Sequence, residues 1–158
     1  MHINATCGYY WDQWFGCSFE IDIELTGSGK IDDPFILKAK SPYDSKHCEL
    51  KISRTNQYLE VQGIHLRALY LNHCTNINIS DLDVKYFGLR NCSIVTIQNA
   101  QVTKEVRINK CTDMKISESG INRLTVFSGD QLYFYNCDIK KLSKTTKAFQ
   151  EEEVIMIE

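Results

Sequence analysis

Proline and glycine are scarce in this sequence of 158 residues, which contains two prolines and eight glycines. No linker rich in proline, glycine and serine interrupts the chain, so we expect residues 1–158 to form a single domain. Long apolar runs are also missing, and residues 1–16 have neither the basic start nor the apolar centre of a signal peptide. We therefore expect no membrane span and a cytoplasmic location.

The chain also lacks a marked excess of charge of either sign. Its formal net charge is −2 and its isoelectric point is near 6.1. A chain with so small a net charge has no overall attraction to nucleic acid or to an anionic membrane. We predict that neither is a partner.

Short motifs of the best-known catalytic and cofactor sites are missing too. The sequence contains no GxSxG, HExxH or CxxC segment. Residues 27–30 read GSGK, but a phosphate-binding loop needs G-x4-G-K-[ST] followed by a helix, and Pro34 excludes a helix here. We predict no catalytic residue, no metal site and no cofactor.

Cysteine, by contrast, is abundant. Seven cysteines are an odd number, which does not suit a closed disulfide framework and favours free buried thiols. Cys74, Cys92 and Cys111 recur at intervals of 18 or 19 residues, and Gly129 takes the next place. We interpret this row as small side chains packed in one repeated corner, with a metal or redox role as the alternative.

Apolar residues recur regularly between Leu59 and Leu142. They form pairs two residues apart, which is the period of a β-strand and not of a helix. The pairs of the first repeat are Leu59/Val61, Ile64/Leu66 and Leu69/Leu71. Later repeats begin 18 or 19 residues apart, at Ile77, Val95, Met114 and Leu132. Only Ser119 interrupts the apolar pattern.

A repeat of this length, made of three short strands and three turns, predicts a β-solenoid whose coils bury their inner faces by stacking. We expect an all-β parallel β-helix with triangular coils of 18–19 residues, about six or seven coils in number, with capped ends. Residues 1–34 would form an N-terminal cap and lead-in, residues 35–142 the coils, and residues 143–158 a C-terminal cap.

Two resemblances support this architecture. Residues 27–36, GSGKIDDPFI, resemble the opening motif of right-handed β-helix proteins of the NosD-type, pectin-lyase-like superfamily. That resemblance covers roughly residues 25–142 and implies the fold, its right-handedness and an association with carbohydrates, but no single activity. The recurring corners LNHC, LRNC and INKC look like the β-helix of tubulin cofactor C and cyclase-associated protein, although the arginine beside glutamines that is typical of that family is not found.

The predicted coil has three outer faces, which we number in chain order. On the third face, Arg90, Arg107 and Arg123 belong to successive coils, close to Tyr70 and Tyr86. Arginines in such a row bind carboxylates or sulfates with two hydrogen bonds each, so an acidic glycan is the predicted ligand. The alternative is that Glu105 and neighbouring polar groups pair with these arginines on a solvated wall.

Acidic residues of the second face are too dispersed for the enzymes of this fold. Family lyases bind calcium through clustered aspartates and use an arginine as base, as the resemblance implies. Asp81 and Asp83 share one coil, but Asp138 would lie roughly 14 Å from Asp83, at about 4.8 Å per coil. That distance is too long for a shared calcium ion or a catalytic pair.

Both ends of the chain are apolar or aromatic. An aromatic cluster near the N-terminus, formed by Tyr9, Tyr10, Trp11 and Trp14, is interpreted as a cap on the coil stack, with a sugar-stacking surface or a dimer contact as alternatives. We expect Val154–Ile157 to form a strand or helical turn that covers the lower end.

These observations favour a non-enzymatic β-helix module that binds a carbohydrate or a protein through an outer face. One alternative is a polysaccharide-active enzyme of the pectate-lyase type, or a degenerate relative of one. A second is a structural protein that assembles through its solenoid ends into a homo-oligomer.

Overall fold

The computed structural model describes residues 1–7, 23–39, 48–144 and 154–157. Within these residues all regular elements are β-strands, as predicted. No helix among them is long and apolar enough to cross a membrane.

Eleven strands make up the described part of the chain. They are β1 (His2–Cys7), β2 (Ile23–Thr26), β3 (Phe35–Ala39), β4 (Cys48–Thr55), β5 (Leu59–Arg90), β6 (Ser93–Ser117), β7 (Gly120–Ile121), β8 (Leu124–Tyr135), β9 (Asp138–Ile139), β10 (Leu142–Lys144) and β11 (Val154–Ile157). The long strands β5, β6 and β8 bend at the corners of the coil and therefore contribute to more than one face.

Parallel pairing joins residues one repeat apart on all three faces. On the first face Ile79 pairs with Ile97, and on the second Leu82 pairs with Ala100. On the third face Val106 pairs with Leu124. The stacked strands form a β-solenoid of about five turns, so the predicted fold class is confirmed.

The interior of the solenoid is a continuous apolar core. All the positions of the predicted pattern from Leu59 to Phe134 are buried. The last three, Cys137, Ile139 and Leu142, are more exposed because they lie in the final coil. Ser119 is buried as well, and its hydroxyl accepts a hydrogen bond from the Ala100 N–H at 3.0 Å and donates to the Ser117 carbonyl at 2.6 Å.

Left-handed backbone conformations turn the chain at its corners. Positive φ values occur in three vertical rows of corner residues. The rows are Arg54, His73, Asn91 and Lys110; Asn76, Ile94, Asp113 and Gln131; and Gly63, Asp81, Asn99, Glu118 and Asn136. Asparagine and aspartate recur in these rows because their short polar side chains tolerate this conformation better than most.

The N-terminal end differs from the coils because its strands run antiparallel. β1 pairs antiparallel with β4, and β2 pairs antiparallel with β3. Between β2 and β3, Gly27 has a φ of 88°, and a Cβ there would lie 1.9 Å from the Pro34 carbonyl oxygen. The GSGK segment is therefore a tight structural turn. The solenoid has about five turns, fewer than the six or seven coils expected from the sequence. One reason is that β1 and β2 at this end pair antiparallel and do not form coils.

The other end continues the solenoid with parallel strands. β10 pairs with β8 at Leu124–Val126, and β11 pairs with β8 at Leu132–Tyr135. A strand was one of the two conformations predicted for residues 154–157. The predicted aromatic cap of Tyr9, Tyr10, Trp11 and Trp14 lies outside the described residues.

Candidate ligand-binding face

Tyr70 lies on the third face near the N-terminal end of the stack, between residues of the preceding and the following coil. The Lys51 ammonium lies 5.9 Å from the centre of its ring. On the other side the ring covers Gly88, where an added Cβ would lie 2.7 Å from Tyr70 Cδ1. Gly88 therefore leaves space for the ring to lie flat against the face.

The predicted residues around Tyr70 form one electrostatic neighbourhood. Burial and the carboxylate of Glu49 raise the pKa of Tyr70, while Arg107 and Arg67 act in the opposite direction. Tyr86, 37% exposed, also acts to raise the pKa of Tyr70. Tyr70, Gly88 and Arg107 follow one another in successive coils of this face, and Tyr86 lies two residues before Gly88.

Glu105 is the acidic centre of the same surface. Its Oε2 accepts a hydrogen bond from Arg107 Nε at 2.7 Å, and its Oε1 accepts one from Thr125 Oγ1 at 2.7 Å. Against the opposing effect of burial, these hydrogen bonds and nearby Arg123 lower the pKa of the Glu105 carboxyl. The pairing expected under the alternative interpretation is therefore present for Arg107.

Pairing with Glu105 leaves much of Arg107 accessible, because the arginine side chain remains 64% exposed. Arg90 and Arg123 are also exposed. They lie at opposite edges of the face, whose central column contains Gly88, Arg107 and Thr125. Arg90 pairs with Asn109, on the far side of this column, and Arg123 comes before the column, directly ahead of Leu124. The three arginines therefore follow a diagonal across successive coils and do not share one point.

Charge is strongly segregated between the faces, which the net charge of −2 conceals. In the described part of the third face, together with the turn that connects the second face to it, only Glu49 and Glu105 are acidic. The basic residues there are Lys51, Arg67, Lys85, Arg90, Lys104, Arg107, Arg123, Lys140, Lys141 and Lys144. The whole-chain charge gave no sign of this face. Assigning every charged residue to a face of the repeat, turns included, would have found it.

The described second face and its turn from the first have the opposite charge. They contain Asp81, Asp83, Glu118 and Asp138, and Lys38, which pairs with Gln62 near the N-terminal end, is the only basic residue described there. These acids mostly bond to neighbouring side chains: Asp83 Oδ2 lies 3.1 Å from His65 Nδ1, and Asp81 accepts from Asn99 Nδ2 at 2.6 Å. Across the described residues, no three histidine, cysteine or acidic side chains are grouped so as to hold a metal ion.

A shallow cavity of about 210 Å³ lies where the second face meets the turn to the third. Its polar lining comes from Gln101, Thr103, Asn122, Asp138 and Lys140. Gly120 also lines the cavity, and the Gln101 amide occupies the place where a side chain at Gly120 would project.

The three cysteines of the predicted row stack in one buried corner. Cys74, Cys92 and Cys111 are at most 2% exposed, and Cys111 pairs with Gly129 as the repeat predicts. Each thiol donates to the carbonyl two residues earlier; the Cys92 Sγ, for example, lies 3.3 Å from the Arg90 oxygen. These contacts agree with the packing interpretation.

The thiols of this row also affect one another. The hydrogen bond with Cys92, together with burial, raises the pKa of Cys74. The adjacent thiol of Cys111 raises the pKa of Cys92 to about 11, and the adjacent thiol of Cys92 lowers the pKa of Cys111 to about 7.

The expectation of free thiols is confirmed for Cys74, Cys92, Cys111 and Cys137. It is wrong for Cys48, which is disulfide-bonded. An odd number of cysteines disfavours a fully closed framework, but it leaves room for a single bond.

The fold and this site together define a β-solenoid with one basic outer face. Comparisons with protein-family models, with curated proteins and with solved structures found no match. Membership of the pectin-lyase-like superfamily therefore stays a prediction, while the solenoid architecture is established.

Proposed function

We propose that this protein is a non-enzymatic binding module that holds an acidic glycan against the third face of its solenoid. The observation that supports it most is the segregation of charge, which leaves only Glu49 and Glu105 as acids on a described surface rich in lysine and arginine. A surface of one sign attracts ligands of the opposite sign and raises their local concentration.

The chemistry of individual side chains also suits a carboxylated sugar. The guanidinium of Arg107 is largely exposed and is oriented by Glu105 through its Nε. Its remaining N–H groups are suited to carboxylate oxygens. Beside it, the partly exposed Tyr70 provides apolar contact area for the C–H groups of a sugar.

Rigidity of the scaffold supports the same function. Tyr70 lies between Lys51 and Gly88, and Glu105 is bonded to both Arg107 and Thr125. A site whose side chains are already ordered loses less conformational entropy when a ligand binds.

Calorimetric titration with oligogalacturonate tests this proposal. We expect Arg107→Ala to weaken binding by about tenfold, which corresponds to ~1.4 kcal/mol, with little change in melting temperature. Lys115→Ala removes one positive charge from the first face and serves as the matched control, with unchanged affinity expected. Equal affinity of the Arg107→Ala variant and the parent would contradict the proposal.

The same samples distinguish the alternative functions. Release of unsaturated uronate from the glycan, followed by ultraviolet absorbance, would show a lyase instead of a binding module. Concentration-dependent growth in light scattering would favour assembly through the solenoid ends.

A further inference from the structure

A vertical row of basic residues follows the turn between the second and third faces. Every coil from Leu59 onward has at least one lysine or arginine in this turn. The row, which we call the basic ridge, consists of Arg67, Lys85, Lys104, Arg123, Lys140 and Lys141. All are exposed except Arg67, which is half-buried.

The register of the strands places the ridge residues in successive layers of the stack. Val84 pairs with Val102 immediately before the turn, and Tyr86 pairs with Glu105 after it. Lower down, the Val106 N–H donates to the Arg123 carbonyl and the Leu124 N–H to the Lys141 carbonyl. At about 4.8 Å per coil, the ridge extends roughly 19 Å along the solenoid axis.

Most of these charges have no acidic partner in the described part of the chain. Arg67 Nε lies 3.8 Å from Glu49 Oε1, the one ion pair that the ridge makes there. Arg123 lies near Glu105, whose two oxygens already bond to Arg107 and Thr125. A column of like charges repels itself, so a row of anions beside it would be favourable.

We propose that the basic ridge binds a linear polyanion that runs parallel to the solenoid axis, with one anionic group for each coil. This inference rests on the proposed function and narrows its ligand to an extended acidic polysaccharide, as opposed to a single acidic sugar. A polymer of uronic acids carries one carboxylate per ring, so it presents the regular series of anionic groups that such a row of cations attracts.

The surroundings of the ridge favour a polysaccharide over a single-stranded nucleic acid. Proteins that bind single strands place aromatic rings under successive bases. On the described third face aromatic side chains are few: Tyr70 and Tyr86 lie in adjacent coils, and Phe127, 40% exposed, lies two coils below Tyr86. The coil between Tyr86 and Phe127 and the last coil present arginine or lysine without an aromatic ring on this face.

A length series of oligogalacturonates tests the inference by calorimetry. We expect affinity to rise with each added unit up to about five units, the number of coils that the ridge spans, and then to level off. The double variant Lys85→Glu, Lys104→Glu should weaken binding of the pentamer at least tenfold and binding of the monomer much less. The control variant Lys110→Glu, Lys115→Glu makes the same change of charge outside the ridge and should keep the length dependence.

The outcomes separate the ridge from the proposed function. Binding that does not depend on length would overturn the ridge and leave the module intact, whereas no binding at any length would overturn both. Tighter binding of a single-stranded oligonucleotide of equal charge would overturn the choice of polysaccharide. An equal loss in both double variants would show that only overall charge matters.

Discussion

At the scale of single residues, the corners of the coil depend on which side chains tolerate a left-handed backbone. Asn91 and Asn136 adopt positive φ directly before Cys92 and Cys137. The following thiol then donates to the carbonyl that precedes the corner, as Cys137 does to Tyr135 at 3.3 Å. Ser119 makes the same bond after Glu118. Cysteine therefore suits the position after a left-handed residue at two different corners of the coil, and Ser119 occupies the position of Cys137 one coil earlier.

Ile94 is the exception among the corner residues. Its φ is 53° although its side chain is β-branched, and that side chain is 53% exposed. A β-branched residue in this conformation is strained, and little burial compensates here.

We predict that Ile94→Asn raises the free energy of unfolding by about 1 kcal/mol, because asparagine tolerates the left-handed conformation. Urea denaturation measures this change. Ile94→Val, which keeps the branched side chain, should not stabilise the protein. A loss of stability in the asparagine variant would show that Ile94 makes a favourable contact that outweighs its strain.

At the scale of elements, the alternation of apolar residues was enough to predict which side chains of each strand face the core. The reason is that every coil needs apolar side chains at the same inward positions, so the pattern occurs in each repeat and supports the same assignment several times. No such repetition covers the N-terminal strands, and the antiparallel pairing of β1 with β4 was not predicted. The basic charge of the turns, where Lys85 and Lys104 lie, was not predicted either. Turn residues do not alternate with buried apolar residues, so the pattern does not show which turn residues stack on one another.

The stacked thiols give the corner a dependence on alkaline pH. The adjacent Cys111 thiol raises the pKa of Cys92 in the folded protein from the ordinary value of 9.0 to about 11. The folded state therefore holds its proton more tightly, and the stability that this provides is complete below pH 9 and lost between pH 9 and 11. The lowered pKa of Cys111, about 7, adds stability between pH 7 and 9 and is constant above that range.

We predict that urea unfolding shows falling stability between pH 9 and 11, and that Cys92→Ser reduces this fall. Serine keeps a donor for the Arg90 carbonyl but does not ionise in this range. If the serine variant loses as much stability over this range as the parent, the stacked thiols are not the cause.

At the scale of the whole molecule, the repeat separates charge into faces. Residues one coil apart lie above one another, so a preference for one sign at one position of the repeat becomes a charged column. The second face collects acids and the third face collects bases, while the total stays at −2. The net charge of the whole chain therefore says little about the partners of a solenoid. The prediction made from it concerned the charge averaged over all faces and not the charge of any one face.

Mapping the bound ligand by NMR tests the central claim, that the basic third face is the binding surface, most directly. On titration with a uronic-acid pentamer, we expect the amide signals of Gly88, Arg107 and Thr125 to shift. Those of Asp83 and Gln101 on the second face should stay in place. Shifts confined to the second face, or no shifts at a saturating concentration of the glycan, would contradict it.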